Sequence, residues 1–136
     1  MYEVLLALDG DEDRARTLAH AVTDLPEDPA NVRAVLFHVF TGDNPNNASV
    51  HQVASVRRAR DQLEAAGAEV VLDESSGPPA REILAAAGEH DVDLVTVAGR
   101  QRSPAGKALL GSVSQEVLLG SERPVLFVGE RDVLEE

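Results

Sequence analysis

Residues 93–114 read DLVTVAGRQRSPAGKALLGSVS. Asp93–Ala98 is rich in β-branched side chains and reads as a buried strand, Gly99 follows its carboxyl end, and Ser112-Val-Ser-Gln115 has the spacing of a helix-opening capping box. Strand, glycine-bearing connection and helix start, in that order, make half of a βαβ unit.

Working outward, the same alternation covers the chain. Glu3–Leu8 (EVLLAL) is an almost unbroken apolar run, as expected of a strand covered on both faces, and it ends in Asp9-Gly10. Val32–Phe40, Glu69–Leu72 and Pro124–Val128 follow the same pattern. Between them, Glu12–Thr23 and Ser49–Ala66 carry apolar residues at three- and four-residue steps, which predicts helices laid on a sheet. Gly67 supplies a C-terminal stop, Pro78-Pro79 opens a third helix, and a fourth is predicted from Ser112. The expected fold class is α/β: one domain over 1–136 with a single doubly wound, five-stranded parallel sheet and helices on both faces. In such sheets ligands bind beyond the carboxyl ends of the strands, where strand order reverses, so the segments of interest are Asp9–Asp13, Val39–Asn47 and Gly99–Gly111.

Composition narrows the function. With 43% hydrophobic residues, the 136 residues can bury a core without staples, and the absence of cysteine excludes a thiolate nucleophile or a sulfur-ligated metal. The opening MYEVLLALDG has no basic lead, and its apolar run is too short for a signal peptide or a membrane span, so a cytoplasmic protein without a membrane partner is expected. Asp and Glu number 24 against 12 Lys and Arg, giving a net charge of -12. Such a surface repels nucleic acid and suits a cell with high internal salt. Among the basic residues, Arg100, Arg102 and Lys107 cluster in the connection quoted above.

That connection has the context of a phosphate cradle, because backbone N–H groups after a strand and at a helix start can converge on an anion. It is not a Walker A loop: six residues separate Gly99 from Gly106, and Ala108 stands where Ser or Thr would hold magnesium. The first strand ends in Leu-Asp-Gly-Asp, which lacks the dinucleotide fingerprint G-x-G-x-x-G. The four histidines lack metal-ligand spacing, with His38 read as packed in its strand and the others as surface. GSVSQ does not form a nucleophile elbow, and the acceptor triplet Asn47-Ala-Ser49 is a coincidence in a chain without a secretory signal. Asp9 reads either as a cap or turn residue or as a ligand contact.

Taken together, LLALDGDED, LFHVF, VTVAGRQR and ALLGSVSQEVLLGSERPVLFV closely resemble the universal stress protein family over almost the full chain. The resemblance implies a Rossmann-like, adenine nucleotide alpha hydrolase-like fold, a homodimer formed through the last strand, and a division into members that bind ATP and members that do not. The ATP-binding members carry Gly, two residues, Gly, nine residues, Gly, then Ser or Thr. Here Gly99 and Gly111-Ser112 match, Arg102 replaces the second glycine, and eight residues rather than nine lie between Arg102 and Gly111. An arginine side chain obstructs where glycine would admit a phosphate, yet the guanidinium groups of Arg100 and Arg102 are themselves phosphate partners.

By the same resemblance, Ala7, Leu8 and Asp9 correspond to the adenosine-contacting end of the first strand, and the backbone of Val39 to the reader of the adenine edge. Ala98 and Gly99 lie under the phosphates, Ser112, Val113 and Ser114 form the helix start that receives them, and Gln101 stands where many members have His. The implied function is a stress-response binding module that holds ATP, with Mg2+ or Mn2+, or another adenine nucleotide at the carboxyl ends of strands 1 and 4, with slow hydrolysis at most and no assigned catalytic or metal-ligating residue. The alternative is a regulatory dimer of the same fold that binds no nucleotide and acts through protein partners.

Overall fold

The computed structural model describes residues 1–41, 49–102, 108–109 and 111–129, with 100–102 and 108–109 described by backbone alone. The central strand β1 (Tyr2–Leu8) has apolar side chains on both faces, and this parity organises the molecule. Val4, Leu6 and Leu8 point to one side and pack with helices α1 (Glu12–Thr23) and α2 (Ala54–Ala65) through Leu18, Val56 and Leu63. Leu5 points to the other side, where α3 (Pro79–Glu89) and α4 (Ser112–Gly120) contribute Ile83, Ala87 and Val117. Each such leucine or valine removed from water stabilises the fold by about 1.5–3 kcal/mol.

Five parallel strands form the sheet. β1 pairs on one side with β2 (Val32–Phe40), which pairs with β3 (Glu69–Ser76). On the other side it pairs with β4 (Leu94–Ala98). β5 (Arg100–Arg102) and β6 (Ala108–Leu109) form a small antiparallel ribbon, which the sequence reading did not foresee. β7 (Val125–Val128) completes the sheet order β3-β2-β1-β4-β7. Strand order reverses between β1 and β4, as expected of a doubly wound sheet.

Three local readings are corrected. The run Ser49–Ala66 is not one helix: Val50–Gln52 is a 3-10 turn, Val53 is extended, and α2 starts at Ala54. The turn is held apart from the helix because the Val50 N–H donates to Glu74 Oε1 (2.9 Å) and the Val50 side chain is buried in the core. β3 runs on to Ser76, beyond the predicted Leu72, because pairing with Phe37–Phe40 carries the polar DESS segment along. The N-cap of α4 is Gly111 rather than Ser112: Gln115 N–H donates to the Gly111 carbonyl (2.9 Å), leaving Ser112 as the first helical residue.

The predicted stop at Gly67 stands, with φ at 100°. Gly67 N–H donates to the Glu64 carbonyl and Ala68 N–H to that of Leu63, both at 3.0 Å, which closes the carbonyls of the last turn. At the amino ends of the strands, Arg33 bridges Glu3 (3.0 Å) and Glu69 across three strands, and Asp93 accepts from the Glu3 N–H (2.9 Å). The opposite, carboxyl ends of the sheet carry the cleft.

Candidate functional site

A cleft of about 410 Å³ opens where β1 and β4 part. Its apolar floor comes from Ala7, Phe37, Val39, Ile83 and Val97, on the sheet face covered by α3 and α4. The volume suits a small organic ligand, for which apolar walls with a few convergent polar groups are the common arrangement. Leu8, Asp9 and Ala98 lie on its rim, and Gly111, Val113 and Ser114 close it from the start of α4.

The β1–α1 turn supplies the charge. Asp11 caps α1 by accepting from the Arg14 N–H (2.9 Å), and its carboxylate suits the positive end of the helix. Asp9 is therefore not the cap. Its Oδ1 accepts from the Asp11 N–H (2.9 Å), its Oδ2 from Arg14 Nε (2.9 Å), and its carbonyl from Ser55 Oγ (2.6 Å). Arg14 and the Asp9 side chain both face the cleft.

His38 is half-buried rather than packed away, and it also lines the cleft. Its Nδ1 lies 2.9 Å from the Leu8 carbonyl. A carbonyl only accepts, so Nδ1 carries a proton in this contact. Phe40 packs edge-on against the ring at a centroid distance of 4.7 Å. His90, read as surface, is also half-buried and pairs with Asp73 (2.8 Å) on β3.

On the α4 side, the N–H groups of Ser112, Val113 and Ser114 precede the first intrahelical bond, so they form a donor set of the kind that receives anions. Ser114 is buried, and its hydroxyl donates to the Ala98 carbonyl (3.2 Å), joining the helix start to the end of β4. The N–H of Gly99 donates to the Val128 carbonyl of β7 (2.7 Å) and is spent within the sheet. Ser112 is exposed at the helix tip. The side chains of Arg100, Gln101 and Arg102, and all of Lys107, lie outside the described residues. Among the described residues, no group of three or more His, Asp or Glu is placed to hold a metal, and no helix is long and apolar enough to cross a membrane.

The site thus gathers an apolar slot, a carboxylate held by an arginine, and helix-start amides on the far wall. Arg14, Ser55 and His38 were not read from the sequence as site residues. Arg14 had one signal, its place five residues after Asp9 in the first turns of an amphipathic helix; Ser55 looked like any polar helix residue.

The sequence profile of the universal stress protein family matches residues 1–129. A universal stress protein of Mycolicibacterium smegmatis is 32% identical over 95 residues, which cover 69% of this chain and 73% of that protein. Among solved structures, a universal stress protein in complex with cAMP is similar with a TM-score of 0.72 at 27% identity, covering 96% of this chain and 98% of the other. A universal stress protein from Archaeoglobus fulgidus is similar with a TM-score of 0.73 at 25% identity, covering 94% and 98%.

Proposed function

The chain belongs to the universal stress protein family, and from that premise we propose that it binds an adenine nucleotide in the cleft between the carboxyl ends of β1 and β4. The observation that carries the proposal is the pairing, across one apolar slot, of an acceptor carboxylate on Asp9 with a row of donor amides at the start of α4. A nucleotide has the complementary order of parts: a flat base for the slot, sugar hydroxyls for the carboxylate, and phosphate for the amides. The structural relative solved with cAMP supports the choice of adenine. In this reading the base lies against Val39, the ribose beside Asp9, and the phosphate before Gly111–Ser114.

The fuller form of the proposal is a cytoplasmic stress-response homodimer that holds ATP with Mg2+ or Mn2+ and hydrolyses it slowly at most. The apolar β7 at the sheet edge favours pairing across a two-fold axis. A second reading, a regulatory dimer that binds no nucleotide, draws support from Gly99, whose N–H is not free for phosphate. Isothermal titration with ATP, ADP and AMP at high salt separates the two. Saturable binding supports the first reading, and absence of heat with all three nucleotides overturns it. A phosphate-release assay tests hydrolysis.

A further inference from the structure

A second concavity lies away from the cleft, in an open groove of about 510 Å³ between α1 and α2. Arg16 of α1 and Arg57 and Arg58 of α2 line it, so three of the chain's 12 Lys and Arg meet on one patch of a protein whose net charge is -12. The carboxylates nearby are already matched. Glu12 faces Arg58 (3.4 Å), Asp61 faces Arg60 (3.2 Å), and Asp13 faces Arg16 (3.7 Å). Arg57 is the surplus cation: among the described residues its guanidinium meets no carboxylate and donates only to the Gln52 carbonyl (3.1 Å).

We propose that this groove is a docking surface for an acidic segment of a protein partner, with Arg57 as its anchor. Charge complementarity carries the inference. An acidic partner is repelled by the rest of so negative a surface and attracted here, which fixes where it binds. The pairs already present do not stand in its way: Arg16 with Asp13 and Arg58 with Glu12 are exposed and long, worth little in water, and a partner's carboxylates can take over both arginines at small cost. Covering the groove then removes water from these contacts and leaves them less screened by salt. The three guanidinium groups are held toward separate partners on two helices rather than around one centre. That arrangement suits a row of side-chain carboxylates, each met by an arginine fork, whereas a phosphate cradle needs donors that converge on one point. None of these residues lines the nucleotide cleft, so the inference stands apart from the nucleotide reading.

The test is an anisotropy titration of the full chain against a fluorophore-labelled hexaglutamate peptide at low salt. Saturable binding is expected, and Arg57→Gln should weaken it about tenfold, the worth of one hydrogen bond between charged groups. Arg81→Gln removes the same charge from an exposed position on α3 and should leave the affinity nearly unchanged. Equal weakening by Arg57→Gln and Arg81→Gln would mean diffuse attraction and overturns the proposal, as does the absence of binding. Inorganic triphosphate that binds more tightly than the peptide, and loses affinity in Arg57→Gln, overturns it too by assigning the groove to a phosphate ligand. Should Arg57→Gln fail to melt cooperatively, Arg16→Gln makes the same test from α1, and an unchanged peptide affinity there is equally fatal. Failure on any of these counts leaves the nucleotide reading untouched.

Discussion

The N–H of Gly99 donates to the carbonyl of Val128 at 2.7 Å, so the glycine that follows β4 belongs to the sheet rather than to an anion. On the nucleotide reading proposed above, phosphate would depend on the far wall, where Gly111 caps α4 with φ -74° and ψ 164°. Any L-residue adopts that conformation, so the backbone does not require glycine there, and in the proposed nucleotide pose a larger side chain would take the space of the phosphate. Gly111→Val should therefore cost nucleotide affinity at least about tenfold, the loss of one or more charge-assisted contacts, while the melt stays cooperative. Titration beside a thermal melt checks both. Retained affinity would place the phosphate elsewhere.

Gly67 is a different case, for its φ of 100° lies where a Cβ is strained. Gly67→Ala meets no neighbouring atom, so the cost should be the backbone's own, about 1 kcal/mol. Urea unfolding measures it, and an unchanged midpoint contradicts the assignment.

Leu5 is fully buried at the centre of β1, and its carbonyl also accepts from the buried Thr96 hydroxyl (3.1 Å). Leu5→Ala should destabilise by about 2–5 kcal/mol, because the side chain is lost and rigid β-strands on both sides cannot close the gap. A smaller loss in chemical denaturation would mean that the core relaxes around the cavity.

Acid should act partly through Glu82. The hydroxyl of Ser75 donates to its carboxylate and, helped by Arg81, holds the group below its ordinary value of 4.5 against the opposing effect of burial. A carboxyl that is more acidic when folded stabilises the fold above its unfolded pKa and loses that contribution as pH falls through the folded one. The melting temperature of the unmodified protein should thus fall more steeply than that of Glu82→Gln as pH is lowered through and below 4.5. Parallel curves would exclude the contribution.

A net charge of -12 on 136 residues opposes compaction at low ionic strength. The melting midpoint should rise steeply with KCl into the molar range, where screening shortens to about 3 Å. A midpoint indifferent to salt would remove the case for a high-salt interior.

What could be read from residue order was whatever repeats: strand runs such as EVLLAL, the stripe of α1, and the glycine stop after α2 each announce themselves within a few neighbours. What could not be read depended on distant partners. Polar Asp73–Ser76 become strand because β2 offers them a ladder, and Val50 leaves the helix because Glu74 takes its N–H. The site divides the same way. Ala7, Asp9, Val39 and Ser114 came from family likeness and do meet at one cleft, whereas Arg14 lines it, and buried Ser55 holds the Asp9 carbonyl, only through a fold that brings α1 and α2 against the same turn.

The charged rung of Glu3, Arg33 and Glu69 sits at the amino ends of the strands, across the sheet from the cleft. Anchorage and recognition therefore occupy opposite poles of one scaffold. An engineer could exchange the residues around Asp9 and Gly111 while the strand ladders and the buried core keep the strands in register.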